Sequence, residues 1–252
     1  RSGCAFVVLA GAEATADVLT AAGATRPASD GADELAQATA EQVLDWYVES
    51  HVPESYREAS AAAGCAVSDH LAELAFAEPV GAHGLVAVDW RPGGVPADAA
   101  APERAELSGI LVGATLATRP EHVFRALTEA TAFGLRMHAE SLRASALTPV
   151  EMVLTGELAD CEPLVQMHAD ALRLPVTARP DLVTADQLTG DADLAPGGDD
   201  QTVPGAVRMP DPASADAYDA LYAEYRQLHD HFGRGGTDVM KRLKQIRMEA
   251  RQ

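Results

Sequence analysis

The residues of this chain that could carry chemistry are few and widely spaced. His229 and His231 sit two apart near a helix end, where a histidine pair could ligate a metal or simply belong to a solvated C-terminal turn. Six aspartates (181, 186, 191, 193, 199 and 200) crowd one Gly/Pro-rich stretch. Their spacing misses the calcium-loop pattern, so a solvated acidic loop is the better reading than a calcium site. Cys161 has no basic neighbour to stabilise its thiolate, and Cys4, Cys65 and Cys161 form no CxxC pair. That usage points to a reducing cytoplasm without a disulfide framework, and no metal site is assigned. What remains is a glycine turn at Gly11-Ala12-Glu13, another at Gly156-Glu157, and the polar pair Glu34 and Gln37 ahead of Trp46.

Apolar strands and amphipathic helices must position these groups. Cys4–Ala10 is a contiguous apolar run of the kind found in strands buried on both faces, and Asp17–Thr20 follows as a second strand. Asp33–Ser50 carries Leu35, Val43 and Trp46 at helical steps and is stopped by Pro53. Ser68–Ala77 reads as a short helix capped by Ser68. Gly84–Trp90 is a strand by composition, with Asp89-Trp90 at its end, and the Pro/Gly-rich 91–102 is a loop. Thr118 and Glu121 fit a capping box around Pro120, opening a helix whose stripe is Val123, Leu127, Ala130, Gly134 and Met137. A strand at Met152–Leu154, a helix at Pro163–Leu172 and a strand at Pro175–Ala178 follow. The alternation from 84 to 178 argues an α/β layer with parallel pairs. Ser214 then caps a helix whose Tyr218, Tyr222 and Tyr225 are spaced for core packing, and Thr237 opens a basic one.

Composition narrows the field. The chain has 252 residues, 47% hydrophobic and 23% charged, an ordinary globular mix long enough to bury roughly 70–75% of its unfolded surface. Its formal net charge of −19 repels phosphate backbones and anionic bilayers, which argues against nucleic acid and membrane as partners. No apolar run approaches the ~20 residues of a membrane span. The first methionine is Met137 and the chain opens Arg1-Ser2-Gly3, so it reads as the rear portion of something longer.

Four stretches together resemble the FGGY carbohydrate kinases, and within them the branch that phosphorylates ribulose: GLVAVDW (84–90), GILVGATLAT (109–118), FRALTEATAFG (124–134) and YDALYAEYRQLHDHFGRGGTDVMKR (218–242). The resemblance implies an actin-like ATPase (ribonuclease H-like) α/β domain, the second of two that close over sugar and ATP. Residues 1–212 would form it, with 181–204 an acidic loop, and 213–252 a helical segment packing on it. The implied activity is ATP-dependent phosphoryl transfer to a ribulose hydroxyl in pentose or arabinose catabolism. The implied partners are ATP with Mg2+, a ketopentose and a missing N-terminal kinase domain; a homodimer stays open.

The family's roles carry over residue by residue. Glu34 and Gln37 stand twelve and nine residues ahead of Trp46, where the family binds sugar; a carboxylate accepts two hydroxyl hydrogen bonds in a fork. Nucleotide and phosphate contacts fall to Gly11, Ala12, Gly113, Thr115, Gly156 and Glu157. The catalytic base, an aspartate that takes the sugar hydroxyl's proton, is expected upstream of Arg1, so no catalytic residue is assigned here. Departures from the family favour a second reading. Glu13 stands where the phosphate turn has a hydroxyl, and at ~4 Å it would repel a phosphate charge by roughly 4 kcal/mol. One glycine survives of the family's Gly-Gly turn at 156, and 181–200 replaces a Gly/Ala-rich helix. The alternative is thus a degenerate, non-catalytic domain that has lost nucleotide binding, and this chain alone is expected to be inactive.

Overall fold

The computed structural model describes residues 6–10, 19–21, 40–88, 109–144, 148–180, 206–234 and 236–251. Strand β1 (Phe6–Ala10) pairs antiparallel with β2 (Leu19–Ala21), Val7 opposite Thr20. Helix α1 (Ala40–His51) ends just ahead of Pro53, as proline requires. Pro53 does more than stop it. With φ −61° it enters α2 (Glu54–Ala63), which closes on Gly64 at φ 73°, a left-handed cap that satisfies the last carbonyls. No apolar stripe marks α2 in the sequence, since Ser60 is its only buried residue.

Helix α3 (Val67–Phe76) buries Leu71, Ala72 and Ala75; Ala66 occupies its cap position, so the expected Ser68 cap does not form. Strands β3 (Val86–Val88) and β4 (Ile110–Val112) form an antiparallel two-stranded sheet of their own. This corrects the reading of 84–178 as one parallel layer: composition marked the strand at 86 but could not say which sheet it joins. Helix α4 (Pro120–Ala144) runs 25 residues, well beyond the expected stripe. Its cap is displaced by one from the expected Thr118/Glu121 box. His122 Nδ1 reaches back to accept from the Arg119 amide at 3.1 Å, doing for that amide what a Glu or Gln side chain does in a capping box.

Strand β5 (Pro149–Thr155), a 3-10 turn (Glu157–Asp160), helix α5 (Glu162–Leu172) and strand β6 (Val176–Arg179) form a crossover unit in which β5 and β6 are parallel. β7 (Val207–Arg208) adds antiparallel to β6, giving the sheet order β2-β1-β5-β6-β7. Helix α6 (Pro212–Gly233) is capped by Asp211, whose carboxylate accepts from the Ser214 amide at 2.8 Å, so Ser214 is the recipient of the cap and not its source. Helix α7 (Val239–Glu249) ends the fold.

Besides a cluster of α1, α3 and α4 residues around Tyr47, Leu71 and Phe124, two cores hold these elements. One lies between the sheet and α5, around Met152, Leu154, Val165, Leu172 and Val176. The other joins α4, α5, α6 and β3, where Tyr218, Tyr222 and Tyr225 surround Phe133 at ring distances of 5.3–6.2 Å. The tyrosine spacing thus packs a core, as expected. Asp170 ties α5 to the segment entering α6: its Oδ1 accepts from Gln166 Nε2 (2.8 Å) and from the Asp211 amide (2.7 Å). Burial raises the Asp170 pKa above the ordinary carboxylate value, and these donors offset the penalty of keeping it ionised.

Candidate functional site

Parallel strands direct ligands to the edge beyond their carboxyl ends, where helix N-termini converge. Here that edge belongs to β5 and β6. Thr155 and Arg179 are register partners at its last rung, and Gly156 follows at once with φ 76° and ψ −166°, a conformation open to glycine alone. The chain then winds through the 3-10 turn into α5, whose cap position is Cys161. Gly156 is itself buried. Arg179 gave no signal in the sequence, because it merely ends a short strand; the register alone puts a guanidinium-bearing residue on this edge.

Alongside the turn lies an open cavity of about 530 Å³ between α3 and the start of α5, lined by Asp69, Glu73, Phe76, Asp160, Cys161 and Glu162 among others. Four of those six residues are acids, and among the described residues no lysine or arginine lines it. Burial raises the Cys161 thiol pKa, so it is an inert thiol at neutral pH, as its neighbours suggested. The cavity's floor suits an apolar or uncharged group; its rim disfavours a polyphosphate.

The nominated residues do not all gather here. Gly113 and Thr115 follow β4 in the separate two-stranded sheet. Gly113 holds φ 97°, and a Cβ there would overlap the Gly84 carbonyl oxygen, so its close approach is to neighbouring backbone. Thr115 closes a local turn: its amide donates to Thr118 Oγ1 (2.8 Å) and its hydroxyl accepts from the Ala117 amide (3.2 Å). Glu34, Gln37, Gly11, Ala12 and Asp89 lie outside the described residues, as do the aspartates of 181–200. Ala10, just before Gly11, sits opposite Pro149 at the amino end of β5. Gly156 lies beyond the other end, seven residues along, or about 24 Å at strand rise.

Among the described residues no group of three or more His, Cys, Asp and Glu side chains is arranged to hold a metal. The solvated reading of His229 is corrected: it is 5% exposed, stacked on Tyr225 at 6.0 Å and 3.2 Å from Asp230.

A deeply buried charge pair lies in the FRALTEATAFG stretch. Arg125, 2% exposed, donates from Nε to Glu129 (2.8 Å) and from Nη1 to the carbonyls of Ala75 (2.8 Å) and Glu78 (2.7 Å). Its Nη2 donates to the Tyr218 hydroxyl (3.2 Å). Burial opposes its charge, but Tyr218 and Glu129 outweigh burial and raise the Arg125 pKa. The second Glu129 oxygen faces His83 Nε2 at 3.5 Å, while His83 Nδ1 accepts from the Leu85 amide (3.0 Å). Arg125 therefore clamps the end of α3, α4 and α6 together. Sequence spacing marks the i, i+4 pair but not its burial or its backbone partners.

A profile described as the FGGY family of carbohydrate kinases, C-terminal domain, matches residues 2–185. The ribulokinase of Mycolicibacterium smegmatis is 37% identical over 233 residues, covering 86% of this chain and 39% of that protein. The ribulokinase of Geobacillus thermodenitrificans is 36% identical over 240 residues, covering 86% and 41%. The chain thus spans about two fifths of the length of these relatives. Among solved structures, the xylulose kinase from Rhodospirillum rubrum superposes with a TM-score of 0.51 at 27% identity, covering 75% of this chain and 37% of that one. A ligand-bound xylulose kinase from Lactobacillus acidophilus gives a TM-score of 0.52 at 19% identity with the same coverage, a likeness of fold alone.

Proposed function

The chain belongs to the FGGY family of carbohydrate kinases, and we propose that it is the C-terminal lobe of one that transfers the γ-phosphoryl group of ATP to a ribulose hydroxyl. Its fold is the actin-like ATPase fold of the sugar kinases. The observation that carries the proposal is the Gly156 turn at the carboxyl edge of the parallel β5–β6 pair, in a chain 37% identical to a ribulokinase. In this reading Gly156 and Glu157 border the nucleoside, with Gly113 and Thr115 contributing from the β4–α4 connection. Glu34 and Gln37 hold the sugar, and Gly11 and Ala12 belong to the phosphate side. ATP with Mg2+ would bring the phosphoryl group and neutralise its charge; the chain's own part is to position the nucleotide and keep water from it, the main source of rate in such transfers. The proton acceptor lies in the other lobe.

The cavity beside the turn fits the uncharged end of a nucleotide better than its phosphates, because Asp69, Glu73, Asp160 and Glu162 border it. That acidity favours a second reading, a kinase-like lobe that no longer binds nucleotide. A chimera separates the two. The C-terminal two fifths of the M. smegmatis ribulokinase are replaced by this chain, and ADP release is followed with L-ribulose, ATP and Mg2+. Turnover that depends on L-ribulose supports the kinase reading. A folded chimera without turnover, together with no heat when ATP and Mg2+ are titrated into the isolated chain by calorimetry, sinks it and leaves the second.

A further inference from the structure

Two histidines use their ring nitrogens in the same way. His83 Nδ1 accepts from the Leu85 amide at 3.0 Å, and His122 Nδ1 accepts from the Arg119 amide at 3.1 Å. A neutral ring that accepts at Nδ1 carries its proton on Nε2. Each Nε2 faces a carboxylate, Glu129 at 3.5 Å from His83 and Glu78 at 3.3 Å from His122. Both rings are withdrawn from solvent, their side chains 0% and 11% exposed. They also face each other, with centroids 6.1 Å apart and planes 26° from parallel. The two amides bracket one stretch of backbone. Leu85 follows Gly84, whose carbonyl oxygen packs so closely on Gly113 that a Cβ there would overlap it. Arg119 follows Thr118, which closes the turn from Thr115. Residues 113–119, the link from β4 to α4, are thus held at both ends by backbone whose amide rests on an imidazole.

An imidazolium donates from both nitrogens and accepts at neither. Adding a proton therefore has two effects at each ring: it strengthens the attraction to the facing carboxylate, and it strips the backbone amide of its acceptor. We propose that His83 and His122 form a proton-operated latch on the β4–α4 connection, in which acid turns each ring from backbone acceptor to carboxylate partner and releases the Leu85 and Arg119 amides. The charges around the pair support such a step. Glu129 of α4 is shared with Arg125, which also meets the Tyr218 hydroxyl of α6. Glu78, beyond α3, is shared with Arg119, which also reaches Glu121 at 3.0 Å. Three carboxylates against two guanidiniums leave room for one added positive charge. A second would sit against the first ring, so the two rings protonate in coupled steps. The latch does not rest on the nucleotide role proposed above, since every group in it belongs to this fold.

Nuclear magnetic resonance of the full chain between pH 8 and pH 5.5 tests this, following the imidazole nitrogens together with the backbone amides. The expected result is that each ring takes up a proton within that range. As it does, the Leu85 and Arg119 amide signals shift with their own rings, and their protection against hydrogen exchange, corrected for intrinsic rate, falls at least fivefold. His83→Asn places at the Nδ1 position an acceptor that does not titrate. In that variant the Leu85 amide keeps its protection throughout while Arg119 still responds, and His122→Asn gives the converse. A general loosening of the fold in acid would move both amides in both variants, so it is told apart from the latch. Rings that stay neutral down to pH 5.5, amides indifferent to rings that do titrate, or a matching amide that still loosens in its Asn variant each overturn the proposal. Should an Asn variant not fold, the titration of the unsubstituted chain decides alone.

Discussion

Val7 and Val153 face each other across an antiparallel ladder, so the first strand and the strand leading to Gly156 share one sheet but run in opposite directions. The opposed directions have a consequence: Ala10, which ends β1, lies at the amino end of β5, whereas Gly156 follows its carboxyl end. The carboxyl edge of β5 and β6 is the one with a parallel pair and a helix start.

The Arg125 clamp predicts strong non-additivity. Arg125→Leu leaves Glu129, 2% exposed, without its main partner, and urea denaturation should show a loss of about 3–5 kcal/mol. Arg125→Leu combined with Glu129→Leu should recover most of that loss. A double variant as unstable as the sum of the singles would mean that the pair is not coupled.

His168 sets an acid sensitivity. Burial holds its pKa at about 4, below the ordinary 6.5, and its ring lies 2.8 Å from the Leu164 carbonyl oxygen. Between these values the unfolded chain binds a proton that the folded chain refuses. Stability from this group is therefore complete above pH 6.5 and is lost as pH falls toward 4, by on the order of 3 kcal/mol. His168→Leu lowers stability at neutral pH but should flatten the pH dependence in that window, as read by denaturant midpoints at pH 7 and pH 4.5.

Capping of α6 discriminates between two neighbours. Asp211→Ala should lower Tm by about 2–4 °C, while Ser214→Ala, which keeps the amide that the cap binds, should leave it unchanged within scanning error. Equal effects would contradict the cap geometry.

Gly113→Ala places a side chain at φ 97° and against the Gly84 carbonyl. The backbone conformation alone costs about 1–3 kcal/mol, with the overlap in addition, so Tm falls. Gly134→Ala makes a useful control, because a Cβ there meets only the Tyr225 hydroxyl at 3.8 Å.

What could be read from the sequence follows from what local pattern encodes. The α4 stripe and the α6 tyrosines announce their burial by spacing, and both lie in the core. Strand direction leaves no such trace: the apolar run Val7–Ala10 looks the same read either way, and β1 meets β5 across some 140 residues of intervening chain. Helix α2 hides because Ser60 is its one buried residue and alanines fill its second half. Of the candidate site, Gly156 was legible as a turn between strand and helix, whereas the acid-rimmed cavity depends on α3 and α5 meeting in space.

The Asp170 carboxylate reaches across the division between the stretch that matches the family profile, residues 2–185, and the segment that follows it. With Tyr218 and Tyr222 sunk into the same core as Phe133, the two stretches are interlocked without relying on the peptide that joins them. A protease that nicks the chain once between Arg179 and Val207 should therefore yield two fragments that co-elute as a single particle, parting only when urea melts their common interior.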